Sequence, residues 1–409
     1  MKRRQFNQAL AVAGALAAIQ PLSLARAQAQ KLKVGVILPR SGYLGFIGQS
    51  CQKGADLAPG VIKEMLGVDI ELMNADFESN VDTARTRAER LIQEGANVLV
   101  GAFDSGASAA IAQVAEQRGV PFIINIAAAP QITEQGYKFV FRNFQTAGDI
   151  VRNGLDLIGE LFQATNTVPR SAVYMHVNDT FGQAMTKGIG AMLPSRTQLP
   201  FKIVDTISYD PAAKDLTVEV SKAKAANADF LLLVCRLQDS IILRREMVKQ
   251  RWQPMGIISP GSPGMYEEQY FKTLGKLSEY SISNVPWYNP NAKLTKVVER
   301  AFKKQNPNDN LVFHGLNAGF TFEAILVAAD AFKRAQSTDP KTLADAIRQT
   351  NVTEKMTLGG PIKFNAKGQV EGIGSACVQN LHLLPTVVLP KEAATAKPVF
   401  PVPGYKKTQ

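Results

Sequence analysis

Short apolar runs of strand length alternate with amphipathic stretches of helical length from Lys31 onward. Leu32–Leu38 reads as a buried strand closed by Pro39, and Ile70–Met73 as the next. Asn80 and Asp82 offer caps for a helix through Glu94, which Gly95 ends. Asn97–Val100 is a strand, Ala107–Arg118 a helix ended by Gly119, and Val120–Asn125 a strand again. Arg142–Gly148 reads as a strand leaving this first unit. The pattern then repeats. Ser171–Val177, Phe201–Ser208, Phe230–Val234 and Gly256–Ser259 are strands, separated by helices after Gly182, over Asp215–Ala226 and over Asp239–Gln250. Strands that alternate with helices predict an α/β fold on parallel sheets with right-handed crossovers.

The C-terminal third does not make a third such unit. Ile282–Trp287 is a strand, and Ala292–Gln305 and Leu316–Ala335 are helices. Asp339 caps a further helix with Pro340 at its first position. Gly359-Gly360-Pro361 turns into a strand over Ile362–Phe364, and the tail from Pro385 is Pro-rich. This third has to be shared between the two units, so the chain crosses between them more than once. The 409 residues suffice for two or three domains of ~150 residues each.

The first 27 residues read as an export signal. Lys2, Arg3 and Arg4 precede an apolar run over Ala9–Ile19, of a length that suits a signal and is too short to span a bilayer. Ala25-Arg26-Ala27 and Ala27-Gln28-Ala29 are small-x-small cleavage sites, and Arg3-Arg4-Gln5-Phe6 is similar to a twin-arginine signal. A general secretory signal that happens to hold two arginines is the alternative. The mature protein is expected to be periplasmic and soluble. Cleavage after Ala27 removes four basic residues and no acid, taking the formal charge from +11 to +7. The remaining Lys and Arg are scattered over helices as solvated faces, so no nucleic-acid partner is called for.

Catalytic signatures are missing. No Gly-x-Gly-x-x-Gly follows a strand, no phosphate loop ends in Gly-Lys-Ser/Thr, and no Gly-x-Ser-x-Gly elbow occurs. His176, His314 and His382 are the three histidines, and Cys51, Cys235 and Cys377 the three cysteines; none has metal-ligand spacing. The expectation is therefore binding rather than turnover, with no catalytic residue, metal or cofactor.

Motifs in order along the chain resemble the type I periplasmic binding proteins, in the branched-chain amino-acid/amide group. They are Lys33-Val34-Gly35-Val36 with Ser41-Gly42, then Gly48 and Gly54-Ala55, Leu99-Val100-Gly101 with Ser105, Pro121–Ile124 and Phe141-Arg142-Asn143. Asn178-Asp179-Thr180-Phe181-Gly182, Ala228-Asp229-Phe230, Tyr288-Asn289-Pro290 and Gly360–Phe364 follow. The resemblance implies two Rossmann-like lobes with parallel sheets, joined by three hinge crossings near 143–148, 283–286 and 361–364. Residues 31–145 with 285–362 would form one lobe, and 146–284 with 363–409 the other. It implies a monomer that closes over a small carboxylate, amino acid or amide and delivers it to the membrane permease of an ABC importer. A sensory ligand-binding module is the alternative.

The same resemblance nominates site residues. Ser105 and Gly106 open a helix after a strand and would hold a ligand carboxylate. The turn at Ala127 and Ala128 would contribute backbone contacts, since the hydroxyl found there in relatives is missing. Phe181 would pack on the ligand, and Tyr43 and Phe46 lie in the first loop; plain core packing is the alternative for each aromatic. Relatives that bind α-amino acids often carry an acid after the strand that here ends at Ser259, and this chain has Pro260-Gly261-Ser262. Arg236 stands where relatives have Tyr. It would be a second anion contact, unless it is a solvated surface arginine. Together these changes favour a carboxylate ligand with no essential amine.

Overall fold

The computed structural model describes residues 31–406, so the export signal lies outside the described residues. Within them, strands and helices alternate in two sheets. Strand β1 (Leu32–Leu38) leads to helix α1 (Gly45–Leu66), then to β2 (Ile70–Asp76), α2 (Val81–Gln93), β3 (Val98–Gly101), α3 (Ser105–Arg118), β4 (Phe122–Ile124) and β5 (Val140–Arg142). These five strands form a fully parallel sheet in the order β2-β1-β3-β4-β5. Helix α4 (Ala147–Ala164) opens the second half. It is followed by β6 (Ser171–Val177), α5 (Thr180–Met192), β7 (Lys202–Tyr209), α6 (Thr217–Ala225), β8 (Phe230–Val234), α7 (Leu237–Lys249), β9 (Ile257–Ser259), the short α8 (Glu268–Leu274) and β10 (Ile282–Pro286).

The chain then returns to the first half with α9 (Lys293–Gln305), α10 (Gly315–Ala335) and α11 (Pro340–Arg348), and ends on β11 (Ser375–Leu381) and β12 (Leu384–Leu389) in the second. The second sheet runs β12-β11-β10-β9-β8-β6-β7, parallel from β7 to β10, with β11 antiparallel to both its neighbours. The α/β class and the pair of largely parallel sheets are as the alternating pattern predicts.

The helix ends follow the residues that start them. Asn80 accepts a hydrogen bond from Thr83 N–H, and Asp339 accepts one from Thr342 N–H with Pro340 behind it. Gly119 closes α3 in the left-handed conformation at φ 64°. Helix α10 is long and apolar enough to cross a membrane, but it is almost wholly buried, as the central helix of the first half. It packs on α1. Contact is close because a Cβ on Gly54 would fall 2.0 Å from the Ala318 carbonyl oxygen, so only glycine admits this approach.

Three features differ from the sequence expectation. The strand expected over Arg142–Gly148 stops at Arg142, because Thr146 and Asp149 cap each other reciprocally and start α4. Helix α1 includes Phe46, which the sequence placed in a loop. The third crossing falls later than 361–364. Val352 bridges Ile362, Phe364 bridges Val370, and Gln369 bridges Arg142 at the edge of the first sheet, so the chain joins the second sheet only at Ser375. Arg142 holds this edge. Its guanidinium is fully buried and donates to Gln369 Oε1 at 2.6 Å, to the Ala129 carbonyl at 2.7 Å and to Thr133 Oγ1. Burial lowers its pKa to about 10.

Candidate functional site

In open α/β sheets, ligands sit beyond the carboxyl ends of the strands where the strand order reverses. Here that point lies between β1 and β3 in the first sheet and between β6 and β8 in the second. The loops leaving those strands carry Tyr43, Asp104, Asp179 and Arg236. The last three form one buried cluster. Arg236 Nη2 lies 2.8 Å from Asp179 Oδ2 and 3.4 Å from Asp104 Oδ2, and its Nε donates to Asp179 Oδ2 at 3.1 Å. Asp104 belongs to the first half and the other two to the second, so the guanidinium ties the halves together.

Each carboxylate serves two roles. The other oxygen of Asp104 accepts from Ala107 N–H at 2.8 Å and caps α3; that of Asp179 accepts from Gly182 N–H at 2.7 Å and caps α5. The Arg236 N–H donates to Asp239 at the start of α7. Three helix N-termini thus converge on the guanidinium. Its Cζ lies 4.6 Å from the centroid of the Phe181 ring and 5.5 Å from that of the Phe103 ring.

A small apolar cavity adjoins this cluster. Phe103, Ile126, Ala128, Phe144 and Leu316 line it from the first half; Phe181, Arg236, Gly261, Pro263 and Tyr266 line it from the second. Val285 and Pro286, at the end of β10, complete the wall. Gly261 is required there: at φ 149°, its Cβ would fall 1.9 Å from Ile150 Cγ2.

Of the residues nominated from sequence, Ala128, Phe181 and Arg236 line this cavity. Tyr43 stands by the charged cluster, where burial first and Asp104 second push its hydroxyl up to about 12, so it remains a hydrogen-bond donor. Ser105 is buried, and its hydroxyl oxygen accepts from the N–H groups of Ala128 and Ala129, holding that turn. Gly106 supports Asp104 through its backbone N–H, so the helix end expected to greet a ligand carboxylate carries the protein's own. Ala127 is buried, with its carbonyl turned to Arg142. Phe46 is half exposed, away from the cavity, beside Lys53 and His314.

Sequence reasoning missed Asp104 and did not assign Asp179 to the site. The signal was there: each is an Asp directly before a helix that follows a strand, the N-cap position at a carboxyl strand end. Arg236 is not a solvated surface arginine; it is buried and bound to two acids. Two acids, Asp104 and Asp179, stand instead in the loops after β3 and β6.

The charges nearly cancel. Burial alone would lower the Arg236 pKa, but Asp179 and Asp104 more than reverse this, so the side chain stays charged. Burial raises the Asp104 carboxyl, and lifts that of Asp239 to about 6, which leaves Asp239 ionised at neutral pH. Three carboxylates against one guanidinium leave a formal charge of about −2, and three helix N-termini at roughly +0.5 each offset most of it. Among the described residues no group of acids, histidines and cysteines is arranged to hold a metal ion, and all three cysteines are buried and free.

The periplasmic binding protein family matches the chain over residues 31–378. A Leu/Ile/Val-binding protein homologue of Brucella abortus is 22% identical over 392 residues, covering 90% of this chain and 93% of that one. A leucine-binding protein of Thermotoga maritima superposes with a TM-score of 0.74 at 19% identity, over 87% of this chain and 97% of that one. A solute-binding protein of an ABC transporter from R. palustris, solved with benzoate, superposes with a TM-score of 0.75 at 19% identity, over 90% and 100%.

Proposed function

Because the chain belongs to the periplasmic binding protein family, we propose that it is the exported substrate-binding component of an ABC importer and performs no turnover. It closes its two halves over a small solute that has an apolar body and no net charge, an aliphatic amino acid or amide. The observation that supports this is the cavity itself, walled by aromatic and aliphatic side chains from both halves and ending on the Arg236–Asp104–Asp179 cluster.

Charge selects among ligands. A zwitterion sets its ammonium against the acids and its carboxylate against the guanidinium, which has donors beyond those on Nε and Nη2. It leaves the charge of the site unchanged. A carboxylate without an amine adds a negative charge to a buried cluster that already holds two acids on one arginine, a costly step. This reverses the ligand expected from sequence, which counted Arg236 as free. The relatives named for leucine, isoleucine and valine agree with the zwitterion, and the benzoate complex supplies the competing ligand.

A thermal-shift panel of leucine, isoleucine, valine, an aliphatic amide and benzoate tests this. A bound solute at ~100 times its Kd adds about 2.7 kcal/mol of stability. Stabilisation by amino acids or the amide is expected, with a smaller radius of gyration in solution scattering on binding. Stabilisation by benzoate alone would refute the ligand class.

A further inference from the structure

A second contact joins the halves behind the cavity. Glu267 follows Tyr266, and Asn317 follows Leu316; Tyr266 and Leu316 both line the cavity. Asn317 Nδ2, on α10 of the first half, donates to Glu267 Oε1 of the second half at 2.7 Å. Glu267 is 4% exposed and Asn317 is fully buried. Among the described residues no lysine, arginine or histidine forms a salt bridge with Glu267 within 4 Å. The Asn317 Oδ1 atom is buried with no hydrogen-bond donor. A carboxylate can only accept, so it cannot serve that oxygen, whereas a carboxylic acid brings a hydrogen. An acid facing an amide can satisfy both partners; an ionised one leaves both a buried charge and an orphan acceptor.

We propose that Glu267 is a neutral carboxylic acid which, with Asn317, latches the two halves together, and that its ionisation favours the open form. The inference rests on the reading that the halves open and close. Burial raises the Glu267 carboxyl to about 8, against the pull of Asn317. The ionisable groups facing it are Cys51 on α1 and its neighbour Tyr266, both raised by burial first and then by Glu267. Lys53, His314, Glu268 and Lys272 share the adjoining chamber with it. Lys53 is paired with Asp309, and burial, then Lys53, lowers His314 to about 4, so His314 is neutral near pH 7.

The sign follows from which form holds the proton. The closed form keeps it up to about pH 8, while an opened, hydrated carboxyl loses it near the ordinary 4.5. Latching is therefore complete at low pH. The closed-to-open ratio falls by up to about tenfold per pH unit between those values, and no further above them.

The test uses solute-free full-length protein, wild type and Glu267→Gln, in solution scattering at pH 5.5 and 8.5. Infrared spectra follow the protonated-carboxyl stretch over the same range. The wild type is expected to expand at pH 8.5 and to show a carboxyl band that disappears with that expansion. Glu267→Gln, which keeps a neutral partner for Asn317, stays compact at both pH values and lacks the component of the band that disappears with expansion. Asp104 and Asp239 are present in both proteins, so the difference isolates Glu267. If the variant does not fold, Asn317→Ala replaces it and is expected to be expanded already at pH 5.5. Equal pH dependence in wild type and Glu267→Gln, no carboxyl band, or a compact Asn317→Ala at pH 5.5 each overturns the latch. No solute enters the experiment, so a failed solute screen leaves it standing. Solute-induced compaction without any pH effect sinks the latch alone.

Discussion

Replacing Arg236 with methionine removes the charge at the centre of the site while keeping an unbranched apolar stem over the Phe181 ring. The side chains of Arg236, Asp104 and Asp179 are only 5%, 10% and 12% exposed. Both acids approach the same Nη2, at 2.8 and 3.4 Å, so their Oδ2 atoms lie no more than about 6 Å apart. At an effective dielectric of ~20, two like charges at that distance repel by about 3 kcal/mol once the cation is gone. Breaking a buried ion pair by removing one partner costs about 3–5 kcal/mol, most of it the burden of unpaired charge. The predicted loss on Arg236→Met is therefore about 3–5 kcal/mol at neutral pH, read by chemical denaturation. Adding Asp179→Asn should recover more than half of it, because one acid then remains and Asp104 keeps its bond to Ala107 N–H. A loss below ~1 kcal/mol is what an exposed pair gives; that result would refute the buried, bridging cluster.

Two other outcomes are expected. Gly261→Ala places a Cβ against Ile150 and strains a backbone at φ 149°, so denaturation should show a loss of at least ~2 kcal/mol; no loss would mean that the start of α4 yields freely. Changing Arg3 and Arg4 to lysine should leave the precursor in the cytoplasm, since a twin-arginine route reads the pair itself; undiminished periplasmic yield would assign export to the general secretory route.

The alternation of the chain reveals the sheets because a parallel strand buried on both faces is a nearly continuous apolar run. Ser171–Val177 and Phe230–Val234 are such runs, and both coincide with strands β6 and β8. Helix α1 was hidden for the opposite reason. Gly45, Gly48, Gly54, Gly60 and an internal Pro59 read as breakers, yet at least Gly54 is there to let α10 approach. Local propensity gave way to a packing need that only the folded chain displays. Strand β11 escaped notice because it opens on the small residues Ser375, Ala376 and Cys377, which carry little strand signal.

The site was half legible for a related reason. Position can be carried over from a resemblance: Ser105, Phe181 and Arg236 were named because they stand where relatives contact their ligand, and all three lie in or beside the loops after β3, β6 and β8. Partnership cannot be inferred in the same way. Asp104 and Arg236 are 132 residues apart, and nothing along the chain says that one cancels the other. Read singly, Arg236 looks like an anion receptor, and with its acids it becomes one member of a nearly neutral cluster. The nature of the solute turns on that difference, because a buried charge attracts a ligand only to the extent that the protein has not already answered it. The same reasoning separates Glu267 from the cluster. It has no cation within ion-pair range, so burial acts on its charge unopposed by any counter-charge. One junction is thus a cluster of opposed charges gathered on a guanidinium, and the other is a single proton shared with an amide.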